Sequence, residues 1–270
     1  AGAGMTTGQQ NIIIGDNACA NGTLTGNLNT VIGDNAGLNL STGANNTFIG
    51  GAAGDANTTA SNNTGVGYNA IGNNSTGSEN TALGRNSLAN NTTAANNTAV
   101  GYESLGSNTT GESNTAVGSL SLDANTSGTS NTGVGVHALG ANTTGGSNTA
   151  VGNGALKVNT TASNNTAVGL EALISNTTGV SNSAVGALAL DANTTGLANT
   201  AVGKDSLSAN TTASYNSALG VESLRDNTTG ASNTGIGFAT LKVNTTGEEN
   251  VAVGAQALDA NTTADNNTSI

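Results

Sequence analysis

The 270-residue sequence has no proline and no tryptophan, and only one cysteine, one histidine and one methionine. A single cysteine excludes an intrachain disulfide and leaves the redox compartment open. Without proline the chain is not a Pro-rich linker, and its 40 glycines follow no collagen period. Charged residues are 8% of the chain, where about a quarter is usual. Five Lys/Arg stand against sixteen Asp/Glu, a net charge of −11. With no basic patch, the composition argues against nucleic acid and anionic membrane as partners. No apolar run is long enough to insert in a bilayer, and no signal peptide is evident. The start at Ala1-Gly2 without Met points to processing or to a longer parent chain.

What the chain does have is a repeat. From residue 63 onward it is one unit of 17 residues, Asn-Thr-Ala-Val-Gly-x-x-Ala/Ser-Leu-x-x-Asn-Thr-Thr-Gly/Ala-x-Asn/Ser, clearest at Asn148 to Asn164. Positions within it are numbered here as slots, with the opening Asn as slot 1. Asn29 fits the same step, and Asn11 precedes it by 18 residues. Residues 1–62 are a less regular version. Their slot 3 and 4 side chains are larger (Ile13-Ile14, Val31-Ile32, Phe48-Ile49), and slot 9 holds Cys19, Gly37 and Gly54 instead of Leu. A fixed short period over a whole chain means a repeat architecture. Low charge can signal disorder, but a disordered chain would not keep Val and Leu in strict phase.

Seventeen residues are too few for a helix pair with its loops, and a Gly at slot 5 of each repeat would break helices. Thr and Val with Gly and Asn punctuation read as short strands joined by turns. The prediction is an all-β chain, a parallel β-solenoid (β-roll) with one 17-residue coil per repeat and about 15 coils, about 70 Å long at strand spacing. Residues 1–62 and 63–270 then form one continuous domain with no internal boundary. Each coil is expected to hold two strands, one near Thr-Ala-Val-Gly and one near Ala-Leu.

Slots 4 and 9 are the only obligate large apolar positions, so they are assigned to the lumen: Val151, Leu156, Val168, Leu173, Val202 and Leu207. Neighbours in a strand point to opposite faces, which sends slots 3 and 8 outward. These slots stay small, as at Ala150, Ala155, Ala167 and Ala172. Either a flat coil squeezes them or another chain packs on them, and the second reading is preferred. Stacked Asn amides and Thr hydroxyls are expected to hydrogen-bond along the stack. Neither terminus looks like a polar cap, so Ala1, Gly2, Thr268, Ser269 and Ile270 are candidates for an end-to-end contact.

Ser147-Asn148-Thr149-Ala150-Val151-Gly152-Asn153-Gly154-Ala155 resembles the head repeats of YadA-type trimeric autotransporter adhesins. Similar Asn-Thr-Ala-Val-Gly arrays occur in bacterial surface proteins and phage tail fibres. The resemblance implies a left-handed parallel β-roll that associates as a trimer. The coil here is longer than the family's by its Asn-Thr-Thr turn, and no coiled-coil stalk or membrane anchor is present.

Chemistry is sparse. Cys19 and His137 fall seven coils apart, about 34 Å at strand spacing, too far for a nucleophile–base pair. Cys19 reads as a small core residue and His137 as a solvated one. Asp205 and Glu222 share slot 7 on successive coils, about 5 Å apart, a spacing a glycosidase could use. Lys204 lies beside them and no aromatic cleft exists, so a solvated edge is preferred. The Gly-x-Gly strings follow no strand–helix unit, and the calcium β-roll signature is absent, so no cofactor or metal is expected. Asn-Thr-Thr at Asn159, Asn176 and Asn193 formally matches an N-glycosylation acceptor.

The sequence therefore predicts a non-enzymatic structural or adhesive segment of an extracellular, cell-surface or virion-surface fibre. Its partner is itself, laterally or head to tail, with a host-surface or matrix ligand unspecified. The alternatives are a receptor-binding phage fibre segment and an ice-binding solenoid. Against ice binding, Thr160 and Thr161 are neighbours and should face opposite ways.

Overall fold

The computed structural model describes all 270 residues. The fold is an all-β parallel β-solenoid with one short strand per coil. The chain divides into two compact units, Ala1–Asn131 and Thr132–Ile270, a division the repeat does not signal.

In the first unit the strands are β1 (Ile12–Ile14), β2 (Thr30–Ile32), β3 (Thr47–Ile49), β4 (Thr64–Val66), β5 (Thr81–Leu83), β6 (Thr98–Val100) and β7 (Thr115–Val117). They pair in parallel in chain order, and like slots face like slots: Thr81 opposite Thr98, Ala82 opposite Ala99, Leu83 opposite Val100. The change of composition at residue 62 is no structural boundary, because Asn63 N–H donates to Asn46 Oδ1 at 3.0 Å as in later coils. The second unit holds β8 (Thr132–Val134), β9 (Thr149–Val151), β10 (Thr166–Val168), β11 (Ser183–Val185), β12 (Thr200–Val202), β13 (Ser217–Leu219), β14 (Thr234–Ile236), β15 (Val251–Val253) and β16 (Thr268–Ser269). Its register is the same, with Ala150 opposite Ala167 and Val151 opposite Val168.

Backbone bonds tie coil to coil far beyond the strands. Thr149 donates forward to the Asn165 carbonyl at 2.8 Å, Leu156 to Ala172 at 3.1 Å and Thr177 to Thr194 at 3.0 Å. Gly169 donates back to Val151 at 2.8 Å and Glu171 back to Asn153 at 2.9 Å. A turn-rich chain thereby pairs its buried peptide groups without a second strand, which is the accounting a buried backbone demands. Slot 5 must be glycine. At Gly152 φ is +136°, and a Cβ there would collide with the backbone of Gly169 in the next coil.

The structure corrects two expectations. The Ala-Leu segment is not a strand but a run of turns. Slots 7 and 9 are left-handed there, as at Glu171 (φ 54°) and Leu156 (φ 51°). A left-handed leucine costs about 1–2 kcal/mol locally, so stacking imposes the conformation. The strand also faces the other way. Slot 3 is inside, with Ala150 and Ala167 fully buried, while Val151, Val168 and Val202 at slot 4 are only half-buried. Ala155 and Ala172 at slot 8 are fully buried too. The four alanines line the lumen and face no other chain. Leu156, Leu173 and Leu207 are fully buried as slot 9.

Volume explains the reversal. Slot 9 projects across the lumen onto slot 3. A Cβ added to Gly65 at slot 3 would come within 2.7 Å of the Ile71 side chain at slot 9 of the same coil. The first coils show the exchange. Where slot 3 is Phe48, slot 9 is Gly54, and a Cβ there would sit 2.6 Å from the phenyl ring. Where slot 3 is Val31, slot 9 is Gly37, whose added Cβ would lie 3.2 Å from Val31. Each coil has room for one large side chain across this line, supplied by slot 3 early in the chain and by slot 9 later. A close-packed interior admits no second one.

Candidate functional surfaces

One edge of each coil is closed by asparagine. Asn165 Nδ2 at slot 1 and Asn176 Nδ2 at slot 12 donate to the same slot 15 carbonyl, Gly179, at 2.8 and 2.9 Å. Their Oδ1 atoms accept from the next coil: Asn182 N–H reaches Asn165 at 2.9 Å and Asn193 Nδ2 reaches Asn176 at 2.9 Å. These are the predicted amide ladders, and all four asparagines are fully buried. Satisfied networks in low dielectric rigidify a core. The same geometry disposes of the glycosylation motif. The Nδ2 atoms of Asn159, Asn176 and Asn193 are buried and hydrogen-bonded, so the folded chain presents no acceptor amide there.

The outward face of the strands pairs a hydroxyl with an aliphatic group. Slot 2 is Thr or Ser in most coils, and slot 4 is Val, Ile or Leu in all fifteen from Ile14 to Val253. Neither slot carries a charge anywhere. Ile14 is 57% exposed, Leu83 48% and Leu219 51%.

A second outward array lies at slots 13 and 14. Thr177 Oγ1 donates to the Thr194 carbonyl at 3.0 Å and Thr194 Oγ1 to the Thr211 carbonyl at 3.0 Å, the predicted threonine ladder. Thr160 and Thr161 are both exposed, contrary to the expectation that neighbours face opposite ways. The pleat is lost there. Thr177 and Thr178 N–H both donate to one carbonyl, that of Thr194, at 3.0 and 3.2 Å, so the chain bends and both side chains emerge.

Most acidic side chains fall at slots 6, 7, 10 and 11. In the first unit an open groove of about 270 Å³ is lined by Asn69, Asn86, Asn90, Glu103, Ser107 and Asp123. The Tyr102 hydroxyl bonds to Glu103, which raises its pKa, and Arg85 lies 5.9 Å over its ring. In the second unit the proposed carboxylate pair is neutralised by cations. Glu222 meets Lys242 at 2.6 Å, whose hydrogen bond holds the carboxyl below its usual range, and Asp205 meets Lys204 at 3.2 Å. Arg225 is pushed up by Asp226 at 2.7 Å. Asp191 stands at slot 10 in the second unit. Burial first, then Asp205 and Glu171 nearby, raises its pKa, and its Oδ1 is buried without a partner. No three His, Cys, Asp or Glu side chains converge as metal ligands.

Cys19 is fully buried at slot 9, and burial pushes its thiol up to about 11. His137 is half-buried at slot 7, not in open solvent. Of the terminal residues, Gly2 N–H donates to Ala18 at 2.9 Å, Ala1 is exposed, and Thr268 and Ser269 pair with β15. Ile270 is 94% exposed. No helix is long and apolar enough to cross a membrane.

Fold and surfaces together define a parallel β-solenoid with two uncharged outward arrays. No protein-family model matches the chain, and comparison with curated proteins finds no match.

Proposed function

We propose that the chain is a structural segment of an extracellular fibre or surface filament that assembles with copies of itself through the outward face of its strands. The observation that carries this reading is the aliphatic side chain at slot 4 of every coil, between 37% and 57% exposed in six of them and half-buried in the rest. Contiguous exposed apolar surface marks an interaction site. Copies carrying a net charge of −11 repel one another wherever Asp and Glu lie. Slots 2 and 4 are free of charge in each coil, so a second copy meets least repulsion there. Resemblance to YadA-type heads points the same way, and a receptor-binding fibre segment would differ only in its partner. This reading takes Asp205 and Glu222, which meet Lys204 and Lys242, as part of a solvated edge.

Light scattering over a concentration series tests the proposal. The parent chain should be oligomeric. Val151→Asp/Val168→Asp/Val185→Asp should be monomeric with unchanged β content, because three charges on that face oppose association. A parent that stays monomeric, or a variant of the same mass as the parent, overturns it.

A further inference from the structure

The repeat contains its own control for deciding which exposed positions matter. Exposed slots that do nothing drift from coil to coil. Slot 6 reads Val136, Asn153, Leu170, Ala187, Lys204 and Val221 in six successive coils, all exposed except Ala187. Slot 14 in those coils reads Thr144, Thr161, Thr178, Thr195, Thr212 and Thr229. Every one of these threonines is exposed, and none lies in a strand. Slot 13 is held to Thr or Ser by its hydroxyl bond to the next coil, as at Thr177 and Ser75. Slot 14 has no such reason. Its N–H is bonded to the next coil at Thr144, Thr178, Thr195 and Thr229, but its hydroxyl makes no bond within the chain, so the fold would accept any small polar residue there.

We propose that the slot 13 and 14 threonine array binds ice. A single exposed threonine binds nothing tightly, so the array acts by repetition. A ligand that engages one threonine pair per coil must itself repeat at the coil spacing, about 4.8 Å. Crystalline water is such a ligand. It is uncharged, and slots 13 and 14 carry no charge. Its O–H groups donate to the free slot 14 hydroxyl and its oxygens accept from it. The slot 13 hydroxyl is occupied by its bond to the next coil, so the slot 14 hydroxyl is the one that meets water. Fixed rotamers and a backbone bonded coil to coil keep the spacing regular, so little ordering remains to be done on binding.

This inference does not rest on lateral assembly, since that uses slots 2 and 4. Thermal hysteresis and ice-crystal shaping by the purified 270-residue chain test it. The parent should show both. Thr161→Lys/Thr178→Lys/Thr195→Lys should lower hysteresis at equal concentration by about tenfold, since binding is multivalent, with its melting temperature unchanged. Val151→Asp/Val168→Asp/Val185→Asp should retain hysteresis, whatever it does to oligomeric state. A parent without hysteresis or shaping overturns the proposal. So does a lysine variant that keeps full hysteresis, or one whose only change is loss of self-association, which would make the array a contact between copies. Retarded migration in a neutral polysaccharide gel without any effect on ice also overturns it.

Discussion

The two sides of one coil solve the same problem in opposite ways. On the strand side the backbone is relaxed and extended, and the small residue goes inside: Ala150 is fully buried while Val151 faces out. On the turn side the backbone is left-handed at Leu156, and the large residue goes inside. The lumen holds one large side chain per coil, and the turn side provides it at a local cost of about 1–2 kcal/mol. The strand side is thereby released to place its aliphatic residues outward. Size and burial are therefore coupled across the coil and not decided slot by slot. The exposed valines are a surface feature that needs its own explanation, which lateral assembly offers.

Breaking the turn side should have the largest effect. Leu156→Asp puts an unpaired charge in the lumen and should cost about 4 kcal/mol or more. Lys157→Asp, its exposed neighbour, should change stability by less than about 0.5 kcal/mol. Equal losses in denaturant melts would contradict the assignment of slot 9.

The asparagine edge joins the two sides and should come next. Asn159→Ala removes Nδ2 bonds to Asn142 Oδ1 and the Ala162 carbonyl, both at 3.0 Å, and the Oδ1 that accepts from Asn176 Nδ2 at 3.0 Å. The expected loss is about 2–3 kcal/mol. Asn159→Asp should be no better, since a carboxylate cannot donate. A neutral outcome for either would mean that water replaces the ladder.

The smallest effect is a gain. Asp191 has a folded pKa above its ordinary 3.8, chiefly from burial. The folded state therefore holds the proton more tightly than the unfolded one. Stability falls as pH rises from the ordinary aspartate value through the raised one, and stays lower above it. Asp191→Asn should raise the melting temperature slightly at pH 7 and leave it unchanged below the ordinary aspartate range. The same gain at both pH values would contradict the desolvation account.

Much of this was legible in the sequence. The period fixed the solenoid, Gly at slot 5 excluded helix, and repeated Asn announced the ladders. The strand's facing was not legible from alternation, which says only that slots 3 and 4 oppose one another. Assigning the larger residue inward chose the wrong slot. A signal did exist in the reciprocal sizes of Phe48 with Gly54 and Val31 with Gly37, which pair slot 3 with slot 9 across the lumen. The missing second strand had no such signal. A left-handed leucine contradicts local preference and is imposed by neighbouring coils. The bend at slots 13 and 14, where the Thr177 and Thr178 N–H groups share one carbonyl, is not revealed by composition. The candidate surfaces were harder still, because they became visible only once exposed slots could be separated from buried ones.

The coupling of slots 3 and 9 is the claim on which the rest depends, and a double-mutant cycle in one coil tests it. Ala150→Phe alone overfills the lumen and should cost about 3 kcal/mol. Leu156→Gly alone empties it and should cost about 3–5 kcal/mol. Combined, they recreate the Phe48/Gly54 arrangement of an earlier coil. The account predicts that the double variant regains most of the loss, leaving it within about 1.5 kcal/mol of the parent, as a volume-conserving swap does. Losses that simply add in the double variant would contradict it.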